Sequence, residues 1–258
     1  MNRIDTLFKQ RTRPVLSVYF TAGHPEAHTS VDIIRNLQNS GVDMIEVGIP
    51  FSDPLADGPT IQRSSEIALK NGMNLPALFS ELKDIRKDVT LPLVMMGYLN
   101  PILQYGMEKF AQDCKATGID GVIIPDLPLD EYTGKYKSLF EANGLHFICL
   151  ITPETSDARI LEIDRQTGGF IYMVAASSTT GAKSNITGTQ QAYFARVNGL
   201  KLQHPRLIGF GISNKETYEA ATQYADGVII GSAFIKAVEG KGKELKEAVG
   251  EFVKQIRN

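Results

Sequence analysis

The chain of 258 residues has no tryptophan, only two cysteines and four histidines, and no excess of basic residues. Its formal net charge of −2 leaves no positive surplus to neutralise a phosphate backbone, which argues against a nucleic-acid partner. Cys114 and Cys149 lie far apart without CxxC spacing, so we expect two reduced thiols in a cytoplasmic protein. No metal site is predicted, because the histidines are scattered at His24, His28, His146 and His204.

Long apolar runs are also missing. None approaches the ~20 residues that a membrane span requires, and the start, MNRIDTLFKQRTRP, lacks the apolar core of a secretion signal. Instead Ile4, Leu7 and Phe8 follow helical i, i+3, i+4 spacing and predict a short amphipathic helix. With 43% apolar residues, the composition is that of an ordinary globular protein with a substantial core.

Eight short runs rich in valine, isoleucine and phenylalanine recur along the chain. They are continuously apolar, as expected for parallel strands that are covered on both faces. Between them lie stretches with helical periodicity, several of which end at a glycine, the usual helix stop. The runs are VLSVYFTA (15–22), MIEVGIP (44–50), LPLVMMGY (91–98), GVIIPDLP (121–128), HFICLIT (146–152), GFIYMVAA (169–176), RLIGFGIS (206–213) and DGVIIGSA (226–233).

Eight strand–helix units predict an α/β fold, a (β/α)8 TIM barrel, as a single domain over residues 1–258. The competing layout, an open doubly wound sheet, usually has fewer strands and a glycine-rich turn after the first one. Here the first run is followed by TAGHPEAHTS, which has no G-x-G-x-x-G. The barrel is therefore favoured, and the additional N-terminal helix is expected to cover its bottom, where the strands begin.

Glu46 interrupts the second apolar run. Because side chains alternate along a strand, it shares a face with Met44 and Gly48, while the branched residues between them suit the layer that packs on helices. We therefore expect Glu46 inside the barrel, near its upper end. A structural acid held by a buried cation is the alternative, but the only such cation in the eight runs is Arg206, at the opposite end of its strand. Burial without a partner raises the pKa of a carboxyl and suits proton exchange near neutrality.

Other acids and a tyrosine lie near the predicted strand ends. Asp57 belongs to the loop DPLADGPT, where an isolated aspartate more often caps a helix, here the one that starts near Pro59. The length of the loop and its apolar residues suggest instead a segment that folds over the barrel mouth. Asp126 ends the fourth run, where a structural and a functional role are equally plausible. Tyr172 lies mid-strand and could point inward, with core packing as its default role.

Glycines follow the last strands at the positions where many barrels bind phosphate. The seventh run leads to Gly211 and Ser213, and the eighth to Gly231 and Ser232 at the start of a helix. Backbone N–H groups and a helix N-terminus there can hold a phosphate, although glycines also simply make turns. No lysine lies within the strands or at their last residues, which disfavours a Schiff-base aldolase. Cofactor-free acid–base chemistry on a phosphorylated substrate remains.

The sequence closely resembles the tryptophan synthase alpha chain family over nearly its entire length. The most specific match is IEVGIPFSDPLADGPTIQ (45–62), and YFTAGHP, GYLNPILQYG, DLP, TTGA, GFGIS and GSA follow at the expected intervals. The resemblance implies a retro-aldol cleavage of indole-3-glycerol phosphate to indole and glyceraldehyde 3-phosphate in tryptophan biosynthesis. It also implies that this chain needs no cofactor.

The resemblance assigns roles to individual residues. Glu46 matches the family's general acid/base, and Asp57 its second catalytic acid, whose charge can stabilise positive charge at the indole N–H. The phosphate ligands fall on Gly181, Gly211, Gly231 and Ser232, to which the residue pattern adds Ser213. The substrate pocket is expected to be lined by Tyr172, Tyr19, Met96, Leu150, Phe210 and Thr180.

The resemblance also implies a partner, a beta chain that carries pyridoxal phosphate and receives indole in an alpha2beta2 assembly. Asp53, Asn100 and Pro101 are expected to face it. The chain departs from many relatives after Tyr172, where it reads MVAASSTT instead of a loop with serine and glycine. Two alternatives to the lyase are another phosphate-binding barrel, such as a sugar-phosphate isomerase or epimerase, and a catalytically silent barrel that only regulates a partner.

Overall fold

The computed structural model describes residues 1–174, 188–209 and 211–257, and its centre is one parallel sheet. The pairing order of the strands is β5-β4-β3-β2-β1-β9-β8-β7-β6. The strands are β1 (Val15–Thr21), β2 (Met44–Gly48), β3 (Leu93–Met96), β4 (Gly121–Ile123), β5 (His146–Ile148), β6 (Leu150–Ile151), β7 (Ile171–Val174), β8 (Arg206–Gly209) and β9 (Gly227–Ile230).

The sheet closes into a barrel through its fifth segment. β5 and β6 stand at the two ends of the pairing order, yet only Cys149 separates them along the chain. The Cys149 carbonyl accepts a hydrogen bond from the Tyr172 N–H at 3.0 Å, so the interruption itself is tied to the neighbouring strand. β5 and β6 are thus two pieces of one barrel strand, and the predicted eight-stranded barrel is confirmed with its fifth strand split.

Helices follow every barrel strand, in agreement with the predicted strand–helix repeat. The predicted glycine stops are confirmed, since Gly41, Gly72, Gly118 and Gly144 all have φ between 73° and 87°. Within the described ranges no helix is long and apolar enough to cross a membrane. The helices are α1 (Arg3–Gln10), α2 (Ser30–Asn39), α3 (Pro59–Lys70), α4 (Leu75–Leu82), α5 (Leu99–Tyr105), α6 (Met107–Thr117), α7 (Leu129–Glu131), α8 (Lys137–Ala142), α9 (Asp157–Gln166), α10 (Gly188–Gly199), α11 (Lys215–Thr222), α12 (Ser232–Val238) and α13 (Leu245–Arg257).

Alternation along the strands separates two apolar cores. On β2, Ile45 and Val47 belong to the core between the sheet and the helices, whereas Met44 belongs to a second core inside the barrel. This interior core also contains Val15 and Tyr19 of β1, so the odd-numbered residues of β1 face inward. The inner face of the barrel is therefore known for β2, which carries Glu46, and for its neighbour β1.

The N-terminal helix α1 covers the bottom of the barrel, as predicted. Ile4 is fully buried within the interior core. The Arg3 guanidinium lies 2.9 Å from a carboxylate oxygen of Asp120, directly before β4. The Asp5 carboxylate lies 2.9 Å from the imidazole of His146, the first residue of β5. Because Asp120 and His146 stand where strands begin, α1 closes that end and leaves the other for chemistry.

Candidate active site

Glu46 lies inside the barrel, at the middle of β2. It is 0% exposed, and its backbone pairs with Tyr19 of β1 on one side and Val94 of β3 on the other. Tyr19, Val94 and Met44 all belong to the interior core. The inward orientation predicted from strand alternation is confirmed.

The Glu46 carboxyl has one hydrogen-bond partner. The Ser17 hydroxyl donates to Oε1 at 3.2 Å, while Oε2 is buried and has no partner among the described residues. Among the described residues no cation shifts the pKa of Glu46. The alternative of a structural acid held by lysine or arginine therefore finds no support. Burial raises the pKa of Glu46 from its usual 4.5 to about 8, against a smaller lowering by the Ser17 hydrogen bond. Glu46 is thus protonated at neutral pH.

Asp57 lies in the loop between β2 and α3, where a tyrosine holds it. The Tyr98 hydroxyl donates to Asp57 Oδ2 at 3.0 Å and accepts the Ala56 N–H at 3.1 Å. The Tyr98 ring also packs against Phe51, with ring centroids 5.0 Å apart. Burial raises the pKa of Asp57 to about 6, and the Tyr98 hydrogen bond opposes this rise. Asp57 is therefore mainly ionised at neutral pH. It does not cap α3, because the N-cap position of that helix is occupied by Gly58.

Two tyrosines stand beside these acids, each over a glycine of a neighbouring strand. A Cβ atom at Gly48 would lie 2.2 Å from the Tyr19 hydroxyl oxygen, and one at Gly209 would lie 2.2 Å from that of Tyr172. The glycines therefore leave room for the rings. Burial raises the pKa of Tyr172 well above its usual 10, and the charges of Glu46 and Asp57 raise it further. The same two carboxylates raise the pKa of Tyr19, so both acids and both tyrosines face one space.

Apolar side chains complete the wall of this space. Met96 of β3 and Leu150 of β6, two residues that the sequence predicts to line the pocket, are partly buried against the interior core. Ile61 of α3 packs there too, although it was not predicted as a pocket residue. The predicted pocket residues Thr180 and Phe210 lie outside the described residues.

The predicted phosphate-binding glycines follow neighbouring strands. β8 and β9 pair with each other, so Gly211 and Gly231 lie at adjacent strand ends. Gly211 is exposed and has a φ of +80°, which only glycine adopts without strain. Gly231 precedes α12, and Ser232 is the exposed first residue of that helix. The backbone N–H of Ser213 is donated to the Thr217 hydroxyl at 3.1 Å, which leaves only its side chain for a ligand. Gly181 lies outside the described residues.

The residues predicted to face a partner lie at the rim of the same end. Asp53 and Asn100 are exposed, and Pro101 is half-buried in the first turn of α5. Close to them in sequence, Leu55 is 88% exposed and Leu103 is 47% exposed, two of the few large apolar side chains on the described surface.

Asp126 has a structural contact at this end. Its Oδ1 accepts the N–H of Leu99, the first residue of α5, at 2.8 Å. The sequence left a structural and a functional role equally open, and this hydrogen bond favours the structural one. By contrast, the sequence did not identify Ser17 and Tyr98 as partners of the acids. For Ser17 the available signal was a polar residue within the first apolar run, which it shares with Thr21.

The fold and the site define an acid–base enzyme on a (β/α)8 barrel. A protonated carboxyl inside the barrel and an ionised one in the loop above it face an apolar space, next to glycine-bearing strand ends that suit an anion. Among the residues that the structure describes, no group of three or more His, Cys, Asp or Glu side chains could hold a metal ion.

Comparisons with known proteins identify the family. The family model of the tryptophan synthase alpha chain matches residues 6–258. The alpha chain of Christiangramia forsetii is 55% identical over 257 residues, which cover 100% of this chain and 99% of that one, and that of Flavobacterium johnsoniae is 54% identical over 98% and 100%. The crystal structure of the alpha chain from Legionella pneumophila superimposes with a TM-score of 0.88 at 34% identity, covering 100% of this chain and 96% of that one.

The chain belongs to the tryptophan synthase alpha chain family. It is a carbon–carbon lyase of tryptophan biosynthesis that cleaves indole-3-glycerol phosphate, as the sequence resemblance predicted. The two alternatives, a sugar-phosphate isomerase or epimerase and a silent regulatory barrel, find no support in these comparisons.

Proposed function

We propose that Glu46 is the general acid and base of the cleavage. Breaking the bond between the indole ring and the glycerol side chain requires a proton on the ring carbon and removal of a proton from the side-chain hydroxyl. Protonated Glu46 delivers the first proton, and the resulting carboxylate accepts the second as the carbon–carbon bond breaks. Glu46 therefore ends the cycle in the state in which it began.

Asp57 supplies a negative charge in the same reaction. Protonation of the ring carbon develops positive charge on the indole nitrogen, and an ionised carboxylate that accepts the N–H stabilises that charge. The Tyr98 hydrogen bond favours the ionised form of Asp57 and so supports this role.

The observation that carries this proposal is the separation of the two acidities. Burial raises the pKa of both acids. The pKa of Glu46, which lies fully inside the barrel, reaches about 8, whereas that of Asp57 reaches only about 6. Near pH 7 one is therefore a proton donor and the other an anion. When their environments separate the pKa values of two carboxyl groups in this way, the group with the higher pKa is assigned as the acid and the other as the anion.

The substrate fits the remaining parts of the site. Tyr19, Met96, Leu150 and Tyr172 offer an aromatic and apolar wall for the indole ring, to which Phe210 and Thr180 are added by resemblance. The phosphate would bind at Gly211, Gly231 and the first turn of α12, together with Gly181 and the Ser213 side chain. The scissile bond would then lie between the ring and the phosphate, near Glu46.

A beta chain is the partner that this family implies. One structural relative is the tryptophan synthase of Mycobacterium tuberculosis in an aminoacrylate-bound form, with a TM-score of 0.85 and 31% identity over 100% of both chains. We place the contact at Asp53, Asn100 and Pro101, supported by the exposed Leu55 and Leu103. In this arrangement pyridoxal phosphate belongs to the beta chain of an alpha2beta2 assembly, this chain works without a cofactor, and the reaction takes place in the cytoplasm.

Indole release from indole-3-glycerol phosphate tests the proposal. We expect Glu46→Gln to bind substrate with unchanged affinity and to lose at least ~10²-fold in turnover, because it can neither give nor accept a proton. Asp57→Asn should also be severely impaired. Asp126→Asn is the matched control, since its amide oxygen can still accept the Leu99 N–H, and it should lose much less.

Near-wild-type turnover in Glu46→Gln would remove this residue from the mechanism. A full loss in Asp126→Asn with an active Asp57→Asn would reverse the assignment of the second acid. Repeating the assay with and without a beta chain tests the partner, because docking at the rim should change the rate of wild type and of Asp126→Asn alike.

A further inference from the structure

Ser17 carries a hydroxyl on the inner face of the barrel, where most of its neighbours are apolar. It lies on β1 between Val15 and Tyr19 on the inner face of the barrel, and it is 0% exposed. Within the described part of the chain its side chain makes one hydrogen bond, the donation to Glu46 Oε1 at 3.2 Å. A buried hydroxyl without a partner is unfavourable, so this serine is stable in the barrel because of Glu46.

The geometry distinguishes the two carboxyl oxygens of Glu46. Ser17 pairs with Met44 across the β1–β2 ladder while Tyr19 pairs with Glu46, so the serine reaches its acid diagonally from the side of the barrel bottom. Oε1 is held by this donor, whereas Oε2 is buried and has no partner in the residues that the structure describes. The oxygen without a partner is therefore the one available to a reacting molecule.

We propose that Ser17 is a positioning residue for the cleavage, which anchors Glu46 through Oε1 and so presents Oε2 to the substrate. This inference rests on the proposed role of Glu46. Ser17 does not contact the reacting atoms in this scheme. Its contribution is orientation, because a carboxyl in an apolar interior has few other contacts that fix its rotation.

The same bond tunes the acidity of Glu46. Burial raises its pKa, and the Ser17 hydrogen bond is the one opposing cause, since a donor stabilises the carboxylate. Among the described residues, the ionisable groups whose pKa responds to the charge of Glu46 are Tyr19 from β1 and Tyr172 from β7, and neither is a cation. Loss of the hydroxyl should therefore move the pKa of Glu46 further upward.

The alternative is that Ser17 only fills space. In that case the small side chain leaves room for Tyr19, and its hydroxyl has no role. Threonine and valine separate the two explanations, because they have the same shape and differ only in whether a hydroxyl is present. Relative to serine, threonine adds one methyl group, and valine adds the same methyl group and replaces the hydroxyl by another, so crowding is similar in the two variants.

The experiment compares Ser17→Thr with Ser17→Val in indole release from indole-3-glycerol phosphate across pH. Ser17→Val should lose about tenfold in kcat relative to Ser17→Thr with little change in KM, the effect of one hydrogen bond in the transition state. Activity should fall as pH rises through the Glu46 pKa, and this basic limb should lie about half to one pH unit higher in Ser17→Val. Equal kcat values and coincident pH profiles for the pair would overturn the proposal.

Ser17→Ala provides a second comparison if both branched variants fail to fold, since it removes the hydroxyl without adding volume. It should then show the same lower kcat and higher basic limb relative to wild type, and wild-type behaviour would overturn the inference. If the proposed role of Glu46 itself is wrong, the variants give a different result. If Glu46→Gln retains turnover, the role of Glu46 is wrong, whereas an inactive Glu46→Gln beside an unaffected Ser17→Val removes only the positioning role.

Discussion

The acid inside the barrel should make folding stability depend on pH in a defined direction. Glu46 has a pKa of about 8 in the folded chain and about 4.5 when unfolded. Between these values the folded state binds more protons than the unfolded one, so the free energy of unfolding falls as pH rises from about 4.5 to about 8, and this contribution is constant above that range. Glu46→Gln removes the titrating group and so removes this fall.

The magnitude follows from the size of the pKa change. Each tenfold change in proton affinity is worth about 1.4 kcal/mol, so a rise from 4.5 to about 8 corresponds to about 5 kcal/mol as an upper bound. Relaxation of the barrel around the charged carboxylate reduces the effect. We therefore expect wild type to lose at least ~2 kcal/mol more than Glu46→Gln between pH 5 and pH 9.

Urea unfolding of the two proteins at a series of pH values measures this difference. The glutamine amide changes the contact with Ser17 and can shift the stability of the variant at every pH, but such an offset does not depend on pH. Asp57 titrates in both proteins and cancels. The reasoning is refuted if the two stability curves run parallel from pH 5 to pH 9, because Glu46 would then have the same pKa in the folded and unfolded chains.

Two further substitutions test the neighbours of the acids. Tyr98→Phe removes the hydrogen bond that favours ionised Asp57. The acidic limb of the pH profile of kcat/KM, expected near pH 6 in wild type, should therefore move up by about one pH unit. An unchanged limb would contradict the role of this contact. Gly209→Ala places a methyl group 2.2 Å from the Tyr172 hydroxyl and forces the ring to move, so KM for indole-3-glycerol phosphate should rise about tenfold, and an unchanged KM would contradict a pocket role for that ring.

The barrel could be predicted because its strands are continuously apolar. The residues at which the strands end could not be predicted. The apolar runs continue past the strands, and Ile49, Ile124 and Leu127 are buried although they lie beyond the last ladder pairs of β2 and β4. All three belong to the core between the sheet and the helices, so burial persists where the hydrogen-bonded ladder stops. Hydrophobicity reports burial, and the end of a strand depends on backbone pairing that composition does not encode.

The orientation of Glu46 followed from alternation within a single strand, which is a local property. Its partner Ser17 did not, since their contact depends on the register between β1 and β2. The pairing of Asp57 with Tyr98 depends likewise on the path of a loop across two strand ends. Sequence patterns therefore identified the two acids, whereas the neutral hydroxyls that set their orientation and acidity required the structure.

Infrared titration of the Glu46 carboxyl tests the central claim most directly. The carbonyl stretch of a protonated acid that is present in wild type and absent from Glu46→Gln belongs to this group alone. The burial of Glu46, with no cation acting on it among the described residues, predicts that this band persists through neutral pH and disappears with a midpoint near pH 8. A midpoint near the usual 4.5 would mean that Glu46 is already ionised at neutral pH and has no proton to deliver to the indole ring.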